Sequence, residues 1–184
     1  MVAAPLVGLG ARGTAAAGTP LPLASTCSGS ALHPSTSNTT AVNAATLCLV
    51  NRVRAAHRLR ALRSNGDLER VASKQVHSMV RADYFADVSP SGQTPKGLAG
   101  ATGYAAHATT LTIGEDIGWG TGSLASPAQM VLAWMNSPAH RAIILTGEFA
   151  EAGVDVTAAV PSVLEVSPPG ATYAIEFGAR QPQL

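Results

Sequence analysis

Residues 134–145, which read WMNSPAHRAIIL, carry more structural information than any other stretch of this chain. The pattern predicts a helix that ends near Trp134, because the polar residues 136–138 include a proline that interrupts it. His140 then stands just ahead of the apolar run 143–145. Buried apolar residues on both sides would fix the position of a titratable side chain, as is typical of functional sites. His140 is therefore a candidate site residue.

The composition indicates one domain with little electrostatic character. The chain has 184 residues, enough for a domain of ordinary size and a tail. Hydrophobic residues make up 46% and charged residues 12%, and the formal net charge is +1. A net charge this close to zero produces no electrostatic field that would favour nucleic acid or anionic lipid as a partner. No apolar run approaches the ~20 residues that span a bilayer, so we expect no transmembrane segment, and we expect a monomer.

The beginning of the chain differs in composition from the rest. Residues 1–40 are mostly Ala, Gly, Ser, Thr and Pro with almost no charge, so we expect a leader or disordered tail before a domain at 41–180. A secretory signal has a basic start followed by an apolar segment. Residues 1–9 are apolar without a basic start, and Arg12 follows them. This segment supports export only weakly, and cleavage of residues 1–26 stays open.

Cys27 and Cys48 are the only cysteines. In an exported chain such a pair forms a disulfide, whereas in a cytosolic chain the two thiols would be inert. The even count favours the disulfide. A bridge across 21 positions would contribute ~3 kcal/mol in the chain-entropy model.

The remaining pattern predicts an α+β domain in which helices pack on a short antiparallel sheet. A turn and helix cap are expected at Asn65-Gly66-Asp67, and Pro95 suits a first helical turn. Arginines on the helices, such as Arg54, are expected to lie on solvated faces. The predicted helices are 41–59, 68–85, 95–103 and one that opens at 127, and the predicted strands are 109–119, 152–156 and 172–177.

Five motifs in this order resemble the CAP superfamily, which contains cysteine-rich secretory proteins, insect venom antigens and plant pathogenesis-related proteins of type 1. They are Met79 with Tyr84-Phe85, Ser89-Pro-Ser-Gly92, Gly114-Glu-Asp-Ile-Gly-Trp-Gly120, Trp134 to Leu145, and Gly153-Val-Asp-Val156 with Phe177-Gly178. The chain is most similar to small bacterial members over residues 41–180. The resemblance implies an α-β-α sandwich and a secreted or extracellular location. It also implies a cleft lined by histidines and glutamates, which in some members binds a divalent metal.

Two residues match the cleft motifs of the family directly. Glu115 matches the glutamate of the Gly-Glu-Asn motif, and His140 matches the histidine of the bacterial Ser-Pro-Gly-His-Arg motif. As a catalytic pair, Glu115 would serve as the base while His140 polarises a substrate. No nucleophile is compelling, although Ser137 is near the histidine in sequence.

Four further cleft positions depart from the family pattern. They are Asp87 in place of a histidine, Asp116 in place of an asparagine, Ser137 in place of the second glutamate of eukaryotic members, and Thr172 near the histidine of the terminal strand. A metal site would therefore consist of Asp87, Glu115 and His140. One imidazole among carboxylates favours a hard divalent cation, or no metal, over zinc.

Each candidate also has a structural explanation. His140 would cap the helical turn at Pro138, Glu115 would accept from backbone amides of a tight turn, and Asp87 would cap a turn before Ser89-Pro90.

Three functions are open on the sequence alone. Retained fold motifs with altered cleft residues favour a secreted, non-catalytic binding or scaffolding module at the cell envelope or outside the cell. The second is a hydrolase of peptide or cell-wall material that uses Glu115 and His140. The third is lipid or sterol binding, which requires an apolar groove. The sequence identifies no ligand and no partner.

Overall fold

A computed structural model describes residues 27–106, 108–167 and 169–182, with the backbone alone at position 182. The elements in chain order are α1 (Thr39–Ala56), β1 (Arg63–Ser64), α2 (Gly66–Arg81), α3 (Pro95–Ala101), β2 (Ala108–Thr121), α4 (Pro127–Asn136), α5 (Pro138–Ile144), β3 (Glu151–Thr157) and β4 (Gly170–Pro182). Each helix and strand expected from the sequence is present; α3 and α4 begin at the predicted prolines, and the other bounds are shifted. The proposed signal at 1–26 lies outside the described residues.

The four strands form one sheet in the order β1-β3-β4-β2. β4 pairs antiparallel with both β2 and β3, as expected. The two-residue strand β1 pairs parallel with β3, so the sheet is mixed at that edge. β1 is too short to leave a period-2 pattern in the sequence, which is why it was not expected. The α+β class is confirmed.

The sheet lies between two layers of helices. Successive residues of a strand point to opposite faces. On β2, Ile113 and Ile117 pack on residues of α2, whereas Gly114 and Gly118 are in contact with α5 and α4, respectively. We call these sides the α2 face, which also carries α3, and the α5 face, which also carries α1 and α4. The arrangement is an α-β-α sandwich.

Trp134 attaches α4 to the free edge of the sheet. β2 is an edge strand, so its outward carbonyls have no strand partner. The indole Nε1 of Trp134 donates to the carbonyl of Ile117 at 3.0 Å, and the ring packs edge-on against Tyr173 with centroids 6.3 Å apart. The stretch at 134–145 therefore joins two helices to the sheet.

Arg54 is fully buried, so its predicted place on a solvated face was wrong. Its guanidinium donates to the carbonyls of Arg60, Ile144, Thr146 and Phe149 at 2.7 to 3.1 Å. These carbonyls lie at the end of α5 and in the connections beside it, where backbone acceptors lack helical partners. Burial and the nearby charge of Arg60 lower the pKa of Arg54. The side chain fastens α1 to the end of α5.

Residues ahead of α1 belong to the folded domain. Cys27 is buried and forms the predicted disulfide with Cys48 of α1. The carbonyl of Ser30 accepts from the amide of Ala128 in α4 at 2.9 Å. Folded structure thus begins before position 41. Within the described ranges, none of the helices combines the length and apolarity needed to cross a membrane.

Candidate functional site

The register of β2 and β4 places Glu115 directly opposite Glu176. Ile117 and Ala174, two positions further along the strands, pack on α2, so both glutamates point to the α2 face. Glu115 is 6% exposed and Glu176 is 0% exposed. Glu115 therefore sits in the middle of a strand pair under a helix, not in a tight turn.

The two carboxyl groups depend on each other. All four of their oxygens are buried and receive no hydrogen bond from another group of the described residues. A bond between the two carboxyls requires that one of them carries the proton. Burial first, and then the charge of Glu176, raises the pKa of Glu115 well above its usual value. Burial also raises the pKa of Glu176 to about 7. The pair therefore holds at least one proton at neutral pH.

Asp87 and Asp116 extend the acidic character around this pair. Asp87 lies after α2, where the amide of the buried Gln75 donates to the carbonyls of Ala86 and Asp87 at 2.9 and 3.3 Å. Its carboxyl is half-buried, and burial raises its pKa. The charge of Asp87 contributes to the raised pKa of Glu115, so the two carboxyls lie within electrostatic range of each other.

Asp116 is fully buried, and both carboxyl oxygens lack a hydrogen-bond partner in the described part of the chain. As the next residue after Glu115, it points to the α5 face. Burial, followed by the charges of Asp87 and Glu176, raises the pKa of Asp116 well above its usual value. Burial therefore favours the protonated form of Asp116.

His140 is separated from the glutamate pair. It is 1% exposed in α5, and its Nδ1 is hydrogen-bonded to Oγ of Ser137 at 2.8 Å. Ile143 of the same helix contacts Gly114, so α5 packs on the face opposite to that of Glu115. Among the hydrogen bonds of the described residues, none joins Glu115 to His140. Burial alone lowers the pKa of His140.

Thr172 is occupied by a structural contact. Its hydroxyl donates to the carbonyl of Ala159 at 2.7 Å and ties β4 to the connection that precedes it. The structure therefore brings Asp87 near Glu115, brings Ser137 to His140, and leaves Thr172 to the loop.

The candidate metal ligands do not form a ligand set. Across residues 27–106, 108–167 and 169–182, no group of three or more His, Cys, Asp or Glu side chains is arranged to hold a metal ion. The proposed combination of Asp87, Glu115 and His140 thus lacks the convergence that a divalent cation requires.

Glu176 is the site residue that sequence reasoning missed. It matches none of the family motifs in the sequence. Its place opposite Glu115 follows from a pairing register between residues far apart in sequence, which a single sequence does not reveal. The signal that the sequence offered was a glutamate two residues after Ala174, which places both residues on the same face of a buried strand.

Comparison with known proteins places the fold. The family model CAP, the cysteine-rich secretory protein family, matches residues 47–159, more than half of the chain. Among solved structures, an outer surface protein from Borrelia burgdorferi matches with a TM-score of 0.58 and 18% identity over 73% of this chain and 90% of its own. The sequence has no significant match among curated proteins.

Two longer bacterial proteins match as well. An extracellular protein containing a SCP domain from Bacillus anthracis has a TM-score of 0.56 and 21% identity, and a cysteine-rich secretory protein from Staphylococcus aureus has a TM-score of 0.55 and 19% identity. Each match covers 78% of this chain and 40% of the length of the other protein. At these identities the structures establish the fold. With the family model and the sandwich in agreement, this chain belongs to the CAP family of cysteine-rich secretory proteins.

Proposed function

We propose that this chain is an exported, non-catalytic binding module that acts at the cell envelope or outside the cell. The observation that carries the proposal is the position of Glu115. It occupies the glutamate position of the family cleft, yet it is buried opposite Glu176 under α2. A ligand or substrate in an open cleft would not reach it.

The placement of Glu115 and His140 also argues against acid–base catalysis. A general base must be deprotonated and within hydrogen-bond reach of the proton it removes. Glu115 is 6% exposed, and burial followed by the charge of Glu176 raises its pKa well above the usual value. His140 is buried and bonded to Ser137, away from Glu115. The two residues that would share acid–base work are therefore neither accessible nor joined.

Two observations support export. The Cys27–Cys48 disulfide would persist in an oxidising compartment and is rare in the cytosol. The structural neighbours from B. burgdorferi and B. anthracis are described as outer surface and extracellular proteins, respectively.

A hydrolase is the second candidate, and the raised pKa values of Glu115, Asp116 and Glu176 favour it. Carboxyls with shifted pKa values are enriched at catalytic sites. Such a site requires an opening of α2 that exposes the pair. Lipid or sterol binding is less well supported, because the apolar cavity lined by Ile113, Ile143 and Phe149 holds about 170 Å³. Ligand pockets usually measure ~300–1,000 Å³.

Turnover assays with matched variants test the proposal. The purified protein is incubated with casein and with peptidoglycan, beside Glu115→Gln and His140→Asn. We expect none of the three proteins to release product above a buffer blank. Turnover by the native protein that disappears in Glu115→Gln would establish the hydrolase instead. Calorimetric titration with Zn²⁺, Mg²⁺ and Ca²⁺ is expected to give no saturable heat that depends on Glu115.

A further inference from the structure

At the end of the sheet where β2 begins and β4 ends, the protein has a cavity of about 750 Å³. This volume suits a small molecule better than a single ion. Its lining includes Thr112, three positions from Glu115 along β2 and therefore about 10 Å away. Arg180 of the same lining is four positions from Glu176 along β4, about 13 Å away. The cavity is thus separate from the buried carboxyl pair.

Three arginines from different parts of the chain line this cavity: Arg60 after α1, Arg63 of β1 and Arg180 of β4. Arg180 is fixed, because its guanidinium lies 4.6 Å from the centroid of the Tyr104 ring and its Nη1 donates to the carbonyl of Tyr104 at 3.1 Å. A fixed guanidinium binds an anion with little loss of conformational entropy.

The negative charge of Glu151 in the same lining is already compensated by neighbouring groups. Its carboxylate accepts from the hydroxyl of Tyr104 at 2.9 Å and from Nδ2 of Asn65 at 3.0 Å, and it lies 3.4 Å from Nε of Arg180. Burial alone would raise the pKa of Glu151, but these donors and the nearby arginines hold that pKa below its usual value. Its charge therefore offsets Arg180 more than the other two arginines.

Arg60 and Arg63 remain available to a ligand. The Arg63 side chain is 79% exposed and comes no closer than 3.9 Å to Glu151. Arg60 has an exposed side chain that forms no ion pair with any described residue. The exposed hydroxyls of Thr110 and Thr112 form no hydrogen bond within the described ranges, so they add donors to another part of the same lining. Among the described residues, Glu148 is the carboxylate of the lining that forms no ion pair.

We propose that this cavity binds a small molecule bearing a carboxylate or phosphate group, with Arg60 and Arg63 as the anion-binding residues. The inference rests on the proposed function, since it names the surface and the ligand chemistry of the binding module. Guanidinium groups match both oxyanions in geometry. The threonine hydroxyls of the same lining suit polar substituents elsewhere on the ligand.

The test uses citrate for the carboxylate source and inorganic phosphate for the phosphate source. Each is titrated into the ¹⁵N-labelled full chain at low ionic strength, and the amide signals of Thr110, Thr112 and Ala179 are followed by NMR. We expect saturable shifts with at least one probe, weakened by added NaCl. The double variant Arg60→Ala/Arg63→Ala should bind at least tenfold more weakly. Arg52→Ala, which removes an exposed arginine of α1 that does not line the cavity, should bind within twofold of the native protein.

Glu148→Gln provides a gain-of-affinity test. Removing this carboxylate should strengthen binding several-fold, an effect that a structural role of the cavity would not produce. Absence of saturable shifts with both probes would overturn the proposal, and so would equal weakening by Arg52→Ala or unchanged binding by Glu148→Gln. Turnover that depends on Glu115 would remove the proposed function but not the anion binding, so the two failures are distinguishable.

Discussion

Glu115 of β2 and Glu176 of β4 lie directly opposite each other in the sheet, and both carboxyl groups are buried on the α2 face. Two charged carboxylates in this position would repel each other in a medium of low polarity. Burial and then the charge of Glu176 raise the pKa of Glu115, and burial raises that of Glu176, so the pair favours a state that retains a proton.

The first prediction concerns Glu176→Gln. Because the folded state raises the pKa of Glu176, it keeps a proton that the unfolded chain releases. The associated stability is complete in acid and is lost as the pH rises from the usual glutamate range toward about 7. The variant cannot lose a proton there. It should exceed the native protein in free energy of unfolding by on the order of 1–3 kcal/mol at neutral pH, with little difference near the usual glutamate pKa of about 4.

Urea denaturation across that pH range measures this effect. Glu165→Gln, an exposed glutamate outside the sheet, is the matched control and should follow the native curve. Two results together would contradict the shared proton. The native protein would become more stable from acid to neutral pH, and Glu176→Gln would be less stable than the native protein.

The second prediction concerns Arg54, whose guanidinium satisfies four backbone carbonyls. Arg54→Ala leaves these acceptors without their donor, so we expect a loss of about 3–5 kcal/mol in unfolding free energy. Arg54→Lys keeps the charge but not the planar fork, and should recover less than half of the loss. The exposed Arg52→Ala is the control and should stay within about 0.5 kcal/mol of the native protein. Comparable losses at both positions would show that the carbonyl contacts contribute little.

The third prediction uses a glycine pair. A Cβ at Gly153 of β3 would overlap the backbone of Leu68 and Glu69 at the start of α2, so Gly153→Ala should destabilise the protein by at least about 2 kcal/mol. A Cβ at Gly100 of α3 meets nothing within 4 Å, so Gly100→Ala should stabilise the helix by about 0.5–1 kcal/mol. Thermal unfolding of both variants reports the opposite signs. Equal melting temperatures would show that α2 moves away easily from β3.

The fourth prediction concerns the disulfide. It closes a segment of 21 positions between Cys27 and Cys48, so reduction should cost about 3 kcal/mol of unfolding free energy. Urea denaturation with and without dithiothreitol measures the loss. The double variant Cys27→Ser/Cys48→Ser should be as unstable as the reduced protein and insensitive to the reductant. A reduced protein as stable as the oxidised one would show that the contacts of residues 27–38 suffice without the bond.

Local features of this fold were predictable from sequence, and long-range pairings were not. The side chain of Asn65 caps α2 and that of Thr94 caps α3. A helix cap depends on residues within about four positions of each other, so a single sequence can reveal it. Arg54 was misjudged because two of its acceptors, Ile144 and Thr146, lie 90 and 92 positions later in the chain. Helical spacing alone shows an arginine beside apolar residues and says nothing about carbonyls from another element.

The same limit applies to the candidate site. The family motifs identified Glu115 and His140, and both lie in the central sandwich. Alternation along β2 would have placed Glu115 and Asp116 on opposite faces, but only the packing of α5 shows on which side His140 falls. Its separation from Glu115 therefore required the tertiary structure.

The fifth prediction concerns His140 and Ser137. Burial lowers the pKa of His140, so its folded state stays neutral when the unfolded chain takes up a proton. Stability from this group is present above the usual histidine pKa of about 6.5 and is lost as the pH falls below it. An NMR titration of the His140 ring should give a midpoint below that usual value. Ser137→Ala removes the partner of Nδ1 and should lower the unfolding free energy by about 1–2 kcal/mol, whereas Ser167→Ala, at an exposed loop position, should not. A His140 that titrates at the usual value would mean that solvent reaches α5, and an accessible catalytic histidine would then regain support.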